Sequence, residues 1–271
     1  MTQPKLYTDW AELWPYLQDP DDVAEETEDL RDLLINHLDS SRSSSDTPGA
    51  GGKRTLLELG AGGGATLAGL ADDFACTALD LSQPMLDLVA RLPFDIATVL
   101  GDMRSARLGR AFDAVLCNDA IDHLATPEDA QACLATIAQH LAPQGLAVVA
   151  PTYTAETFVD GDWSAARRPP EALPPEDGGE FDAAFDADDP LELTVLSVAH
   201  RTPGVDHAFD LTVAIVVRDR ATGEVQTLQE RQRCGLFSEA WWTQAASAAG
   251  LQARWWDAGP DSARWLLTRR C

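Results

Sequence analysis

The residues best suited to chemistry lie between Glu58 and His123. The run Glu58-Leu-Gly60-Ala61-Gly62-Gly-Gly64-Ala65 follows the apolar stretch TLL and precedes a helical pattern. A strand therefore feeds a glycine turn, and the backbone can approach a ligand at the carboxyl edge of a sheet. Gly60-x-Gly62-x-x-Ala65 satisfies the dinucleotide pattern, and Asp80 stands about 20 residues on, where a ribose-binding acid belongs. On these residues alone, a nicotinamide dinucleotide and S-adenosylmethionine both remain open. Glu58 separates them, because a carboxylate at the strand end suits a cationic ligand and repels a pyrophosphate.

Further acids close the next strands. Asp80 in ALDLS can accept from two ribose hydroxyls, with Leu81 against an adenine ring. Asp102 in Gly-Asp-Met103 offers an acceptor beside an apolar side chain, which suits an adenine amino group. The stretch FDAVLCNDAIDHL then ends in Asn118, Asp119, Asp122 and His123. A histidine at the cofactor edge is a natural proton acceptor near neutral pH. The two aspartates suit a cationic acceptor, and no second ligand group accompanies them to suggest a metal.

These residues need a frame. Short apolar runs near 55–59, 75–79, 96–100, 114–118 and 146–150 alternate with helical patterns near 65–72, 83–91 and 128–141. That alternation predicts an α/β, doubly wound parallel sheet, Rossmann-like in architecture, over residues 55–158. Ahead of it, residues 1–54 read as a helix over 22–38 followed by a Ser/Gly-rich connection from Ser40 to Arg54. Behind it, residues 159–237 read as an acidic loop over 159–190 and a three-strand antiparallel insertion over 191–201, 207–219 and 224–237. Residues 238–271 read as a helix capped by Ser238 and stopped by Gly250, then a hairpin across the turn AGPDS.

Composition narrows the partners. The chain has 271 residues, 20 Lys and Arg against 44 Asp and Glu, and a net charge of -24. Such a surface repels phosphate backbones and anionic lipid, so nucleic acid and membrane are not expected partners. Five cysteines without a C-x-x-C pair argue against a disulfide framework or a structural zinc. The start MTQPKLYTDW lacks the pattern of a secretory leader, and a cytoplasmic protein is expected.

The ordered set ELGAGGG, LDLS, GDM, FDAVLCNDAIDHL and LAPQGLAVV, covering about residues 55–150, resembles the class I S-adenosylmethionine-dependent methyltransferases. The resemblance implies a seven-stranded sheet closed by an antiparallel hairpin, with S-adenosyl-L-methionine as cofactor. It also implies that Glu58, Gly60, Ala61, Gly62 and Gly64 surround the methionine part, with Asn118 near its end. Asp80 and Leu81 would then serve the ribose and adenine, and Asp102 and Met103 the adenine. In arrangement the chain is similar to the amino-sugar N-methyltransferases of antibiotic biosynthesis.

That likeness implies methyl transfer to a nitrogen or oxygen of a small-molecule acceptor, and His123, just after the fourth strand, is the candidate base for it. Tyr7, Trp14 and Tyr16 would form an acceptor-covering lid, joined at the acceptor by Asp119, Asp122 and Tyr153. Trp163 and Arg167, with Arg168, would hold an anionic group on the acceptor. A homodimer is expected from the antiparallel insertion and its strand edges. The alternatives are an NAD(P)-dependent oxidoreductase, for which a Tyr-x-x-x-Lys pair is lacking among only two lysines, and a non-catalytic cofactor binder.

Overall fold

The structure, a computed structural model, describes residues 3–41, 52–168, 190–256 and 264–270, with the backbone alone at 165–168. Two short 3-10 turns, Lys5–Tyr7 and Ala11–Leu13, lead into α1 (Trp14–Leu17) and α2 (Pro20–Ser40). The Asp19 side chain caps α2 by accepting from the Asp21 amide at 3.0 Å, and Pro20 occupies the first helical turn. Leu30, Leu34 and Leu38, spaced four apart, bury one stripe of it against the sheet.

The core then alternates as expected: β1 (Arg54–Leu59), α3 (Ala65–Leu70), β2 (Phe74–Asp80), α4 (Gln83–Val89), β3 (Ala97–Leu100), β4 (Phe112–Asn118), α5 (Pro127–His140) and β5 (Leu141–Ala150). Helix α6 (Glu239–Ala248) and strands β10 (Leu251–Trp256) and β11 (Arg264–Arg269) complete a seven-stranded sheet in the order β10-β11-β5-β4-β1-β2-β3. β11 pairs antiparallel with both β5 and β10, while β1 to β5 pair in parallel. The order reverses between β1 and β4, which opens a crevice at their carboxyl ends. Each face of the sheet is covered. Leu57, Val115, Val149 and Leu267 pack under α5 and α6, while Leu56, Ala78, Leu116, Val148 and Leu266 pack under α2 and α3.

The insertion differs from the expected three strands. It is a four-stranded antiparallel sheet, β6 (Asp162–Arg168), β7 (Leu191–Arg201), β8 (Ala208–Asp219) and β9 (Val225–Gly235). β6 falls within the stretch read as an acidic loop. Its sequence DWSAARR alternates polar and apolar residues only over its first four positions, and it becomes a seven-residue strand by backbone pairing along β7 from Asp162–Ala199 to Arg168–Leu193. The Ser40–Arg54 connection, most of the acidic loop and the AGPDS turn lie wholly or largely outside the described residues.

The inner face of this second sheet, carrying Leu193, Ile215 and Leu228, packs against Leu6, Tyr7 and Trp14 of the amino-terminal segment. Glu230 on β9 fixes that segment by accepting from the amides of Lys5 at 2.7 Å and Leu6 at 3.1 Å. Close contact at Gly235, where a Cβ would lie 2.5 Å from the Leu124 carbonyl, seats β9 against the turn that follows β4. The crevice is thus walled by the parallel sheet, the amino-terminal segment and the antiparallel sheet.

Candidate active site

The glycine turn is built by backbone conformation. Gly60, Gly62 and Gly64 have φ of 75°, 52° and 80°, a region that side chains disfavour. A Cβ on Gly60 would also lie 2.3 Å from that of Ala120. The amides of Gly60 and Ala61 donate to the Leu79 carbonyl at 2.8 and 3.1 Å, locking the turn to the end of β2. Asp80 completes the lock, accepting from the amides of Gly62 at 2.9 Å and Ser82 at 2.8 Å. Burial pushes its pKa up against the pull of those amides.

Glu58, only 4% exposed, points from β1 into the crevice side of the sheet. Burial, reinforced by Glu26, Asp80 and Asp119, pushes its pKa up to about 8. Its Oε2 and both amide atoms of Asn118 are buried without a hydrogen-bond partner among the described residues. Orphaned buried polar groups are costly and mark a place where a polar ligand belongs. An acid that a cation would relieve, an open amide and a diol-sized acceptor at Asp80 fit the methionine and ribose parts of S-adenosylmethionine.

At the strand end expected to meet the adenine, Asp102 has a partner within the chain. Asp102 is clamped by Arg104, whose amide donates to it at 2.8 Å and whose guanidinium reaches it at 2.6 Å and Asp129 at 2.8 Å. The Arg104 contacts hold the Asp102 carboxyl below its usual range. Much of its acceptor capacity is therefore engaged within the chain. Leu81 is half exposed beside Asp80, and Met103 is partly buried against the core.

Across the crevice, the turn Ala120–His123 follows Asp119, whose φ of 45° is the sole positive value at a non-glycine residue among those described. Asp119 is exposed to solvent, yet desolvation by the protein around it, reinforced by Glu26, pushes its pKa up to about 6. Asp122 is buried and accepts from the Thr152 amide at 3.0 Å, which ties the turn to the segment after β5. Burial pushes its pKa up to about 8. This position suits a structural brace better than the expected contact with a cationic acceptor.

The Tyr7 hydroxyl lies 3.0 Å from Nε2 of His123, with the rings edge to face at 5.2 Å. Burial lowers the His123 pKa and raises that of Tyr7, so the pair stays neutral at physiological pH. Trp14 packs on Tyr7 at 5.3 Å and lies over the glycine turn, its ring 2.7 Å from where a Gly63 Cβ would stand. Tyr7 and Trp14 therefore lie together beside the glycine turn, while Tyr16 packs with Leu6, Leu193 and Ile215.

Tyr153, Trp163 and Arg167 are the other expected acceptor residues. The Tyr153 hydroxyl donates to Asp162 at 2.8 Å, and its ring packs on Phe158 and Phe209. Trp163, 67% exposed, pairs in register with Val198 and so projects on the outward face, opposite Ala199 and the Tyr7 segment. The Arg167 side chain lies outside the described residues. Glu230 and Ser82, whose hydroxyl donates to the Tyr7 carbonyl, hold the lid and were not singled out from the sequence. Neither carries a local motif, because both act through a segment distant in the chain. Among the described residues, no group of three or more His, Cys, Asp or Glu side chains could hold a metal, and no helix is long and apolar enough to cross a membrane.

Comparison with known proteins agrees with this geometry. Residues 56–145 match a methyltransferase domain family. The chain is 32% identical over 251 residues, 91% of its length and 90% of the relative's, to a dTDP-3-amino-3,4,6-trideoxy-alpha-D-glucopyranose N,N-dimethyltransferase of Streptomyces venezuelae. It is 30% identical over 250 residues, 91% of its length and 84% of the relative's, to a dTDP-3-amino-3,6-dideoxy-alpha-D-glucopyranose N,N-dimethyltransferase of Streptomyces fradiae. The crystal structure of Streptomyces venezuelae DesVI superposes with a TM-score of 0.73 at 28% identity, over 92% of each chain. With the glycine turn, the acids at the strand ends and this full-length likeness, the chain belongs to the class I S-adenosylmethionine-dependent methyltransferases, in the branch of the amino-sugar N-methyltransferases.

Proposed function

We propose that the enzyme methylates the amino group of a sugar carried on a nucleoside diphosphate, in two successive transfers. The acceptor class is supported by the likeness to the two dTDP-amino-sugar N,N-dimethyltransferases. The observation that carries the chemistry is the neutral Tyr7–His123 pair beside Asp119, facing the glycine turn across the crevice.

S-adenosylmethionine supplies an electrophilic methyl group on a positively charged sulfur. Glu58, Asn118 and the turn from Gly60 to Gly64 would hold its methionine end, Asp80 its ribose, and Leu81 and Met103 its adenine. Alignment of the acceptor nitrogen with the sulfur–methyl bond is the main contribution, in favourable cases about 7 to 11 kcal/mol. The Trp14 and Tyr7 lid and the inner face of β9 provide that alignment and exclude water. Asp119 draws in the acceptor as its ammonium. One proton must leave before the nitrogen can attack: it passes to the Tyr7 oxygen as the Tyr7 proton passes to Nε2 of His123.

A panel of nucleotide-linked amino sugars, free amino sugars, phenols and carboxylates, followed by mass spectrometry, tests this reading. One and then two added methyl groups on a nucleotide-linked amine are expected. Methylation confined to phenols or carboxylates would exclude it. The reading extends to a cytoplasmic homodimer seated on the outward face of the antiparallel sheet, where Trp163, Leu196 and Val216 are exposed. Cell fractionation and light scattering across a concentration series check those two points.

A further inference from the structure

Arg264 opens β11 and is 2% exposed, yet its charge is poorly matched. One guanidinium nitrogen reaches Oε1 of Glu26 at 3.4 Å, and that glutamate is itself 42% exposed. The other, Nη1, is buried without a partner among the described residues. A buried guanidinium persists when something else satisfies it.

Its place in the sheet indicates what that is. Trp265 pairs with Val149, so Arg264 stands beside Ala150 at the carboxyl edge, where the Ala150 carbonyl accepts from the Asp119 amide at 2.9 Å. Side chains alternate along strands. Leu56, Ala78, Leu116 and Leu266 all pack under α2, so Glu58, Asp80, Asn118 and Arg264, each two residues away, project on that same face. Taken across the sheet from β2 through β1 and β4 to β11, the edge presents acid, acid, amide and cation. Glu58, Asn118 and Arg264 each hold a buried atom without a partner among the described residues. The guanidinium carbon lies 5.8 Å from the ring centroid of Trp256 on β10, and Glu26, Asp29 and Asp119 are the charges that act on it.

The cofactor of this family presents complementary groups in the same order: a ribose diol, a sulfonium with an ammonium, and a carboxylate. We propose that Arg264 binds the carboxylate of the cofactor's methionine end. The assignment rests on the methyltransferase reading and adds an anion site on the last strand, outside the glycine turn and the acids. A guanidinium that served only to balance Glu26 and Asp119 would gain nothing from that carboxylate.

The test is a cycle between two probes and two proteins, read as binding by calorimetry. The probes are S-adenosylhomocysteine and its decarboxylated analogue, which keeps the ammonium. The wild-type chain is expected to bind the first roughly ten- to a hundredfold more tightly, the range of a hydrogen-bonded charge. Arg264→Met should abolish that preference while leaving affinity for the analogue close to wild type, and Arg264→Lys should restore part of it. A wild-type chain that does not distinguish the probes overturns the proposal without any variant having to fold. So does an Arg264→Met protein that keeps the full preference. Failure of the wild type to bind either probe would instead overturn the cofactor reading beneath it.

Discussion

The Tyr7 hydroxyl and Nε2 of His123 lie 3.0 Å apart, although 116 positions separate them in the chain. The contact joins the amino-terminal segment to the turn after β4, so under the proposed function the seating of that segment also assembles the proton acceptor. If the proton leaves through this pair, either partner's removal breaks the route. His123→Ala and Tyr7→Phe should each lower kcat by about 10² to 10⁴, with little change in cofactor affinity. The double variant should be no slower than the worse single one, because the two act as a unit. Multiplying losses would refute the relay. Burial keeps His123 neutral to lower pH than usual, so the acidic limb of kcat should fall below the ordinary histidine range.

Glu58 should behave as a proton store. In the free chain its carboxyl, at about 8, is largely protonated at neutral pH. A cationic ligand favours the ionised form, so cofactor binding near pH 7 should release close to one proton. Calorimetry in buffers of different ionisation enthalpy reads this directly. A heat independent of buffer would count against the placement of the cation, and Glu58→Gln should eliminate the release.

The same carboxyl makes stability depend on pH. Its folded pKa, about 8, exceeds the ordinary value of 4.5. Between those limits the folded state holds a proton that the unfolded chain has lost. Stability is therefore full below the ordinary value and is lost as pH rises toward about 8, by up to ~1.4 kcal/mol per unit. Asp122, also at about 8, adds in the same direction. Thermal melts of the free chain should show a falling Tm across this window, and Glu58→Gln should flatten part of the slope.

Asp80 has two duties, and they can be separated. Its carboxylate accepts from Gly62 and Ser82, and under the proposed function it would also accept from the ribose. Asp80→Asn keeps one acceptor for the turn but loses the charge, and should weaken cofactor binding roughly ten- to a hundredfold with a modest change in Tm. Asp80→Ala should lower both. Asp206→Ala, on the exposed surface, should change neither.

Gly60 tests the turn itself. Alanine there would carry φ of 75° and meet the Ala120 Cβ at 2.3 Å. Left-handed strain costs about 1 to 3 kcal/mol, to which the clash adds. Gly60→Ala should lower Tm clearly and abolish cofactor binding. Unaltered binding would show that the turn is not the cofactor's seat.

Much of the frame was legible from residue order. The alternation of apolar runs and helical patterns located β1 to β5 within a few residues, because a parallel sheet buried on both faces needs continuous apolar strands. Gly60, Gly62 and Gly64 marked the turn because only glycine adopts such backbone freely. Ser238 and Gly250 marked the ends of α6 for similarly local reasons. Where the reason was not local, the reading stopped. β6 is a strand because β7 lies beside it, and the four alternating residues of DWSA are too short a signal to say so.

The site divides along the same line. The sequence by itself determined the glycine turn, the acids Glu58 and Asp80, and a histidine at the edge of the sheet, since strand ends and turns write their needs into adjacent residues. Only the tertiary structure decided that Arg104 engages Asp102, that Asp122 braces Thr152 and that Trp163 faces outward. It alone brought Tyr7 to His123 and Arg264 to the carboxyl edge beside Asp119. Such pairings depend on strand order and register, which bring distant residues together with no trace in the spacing between them.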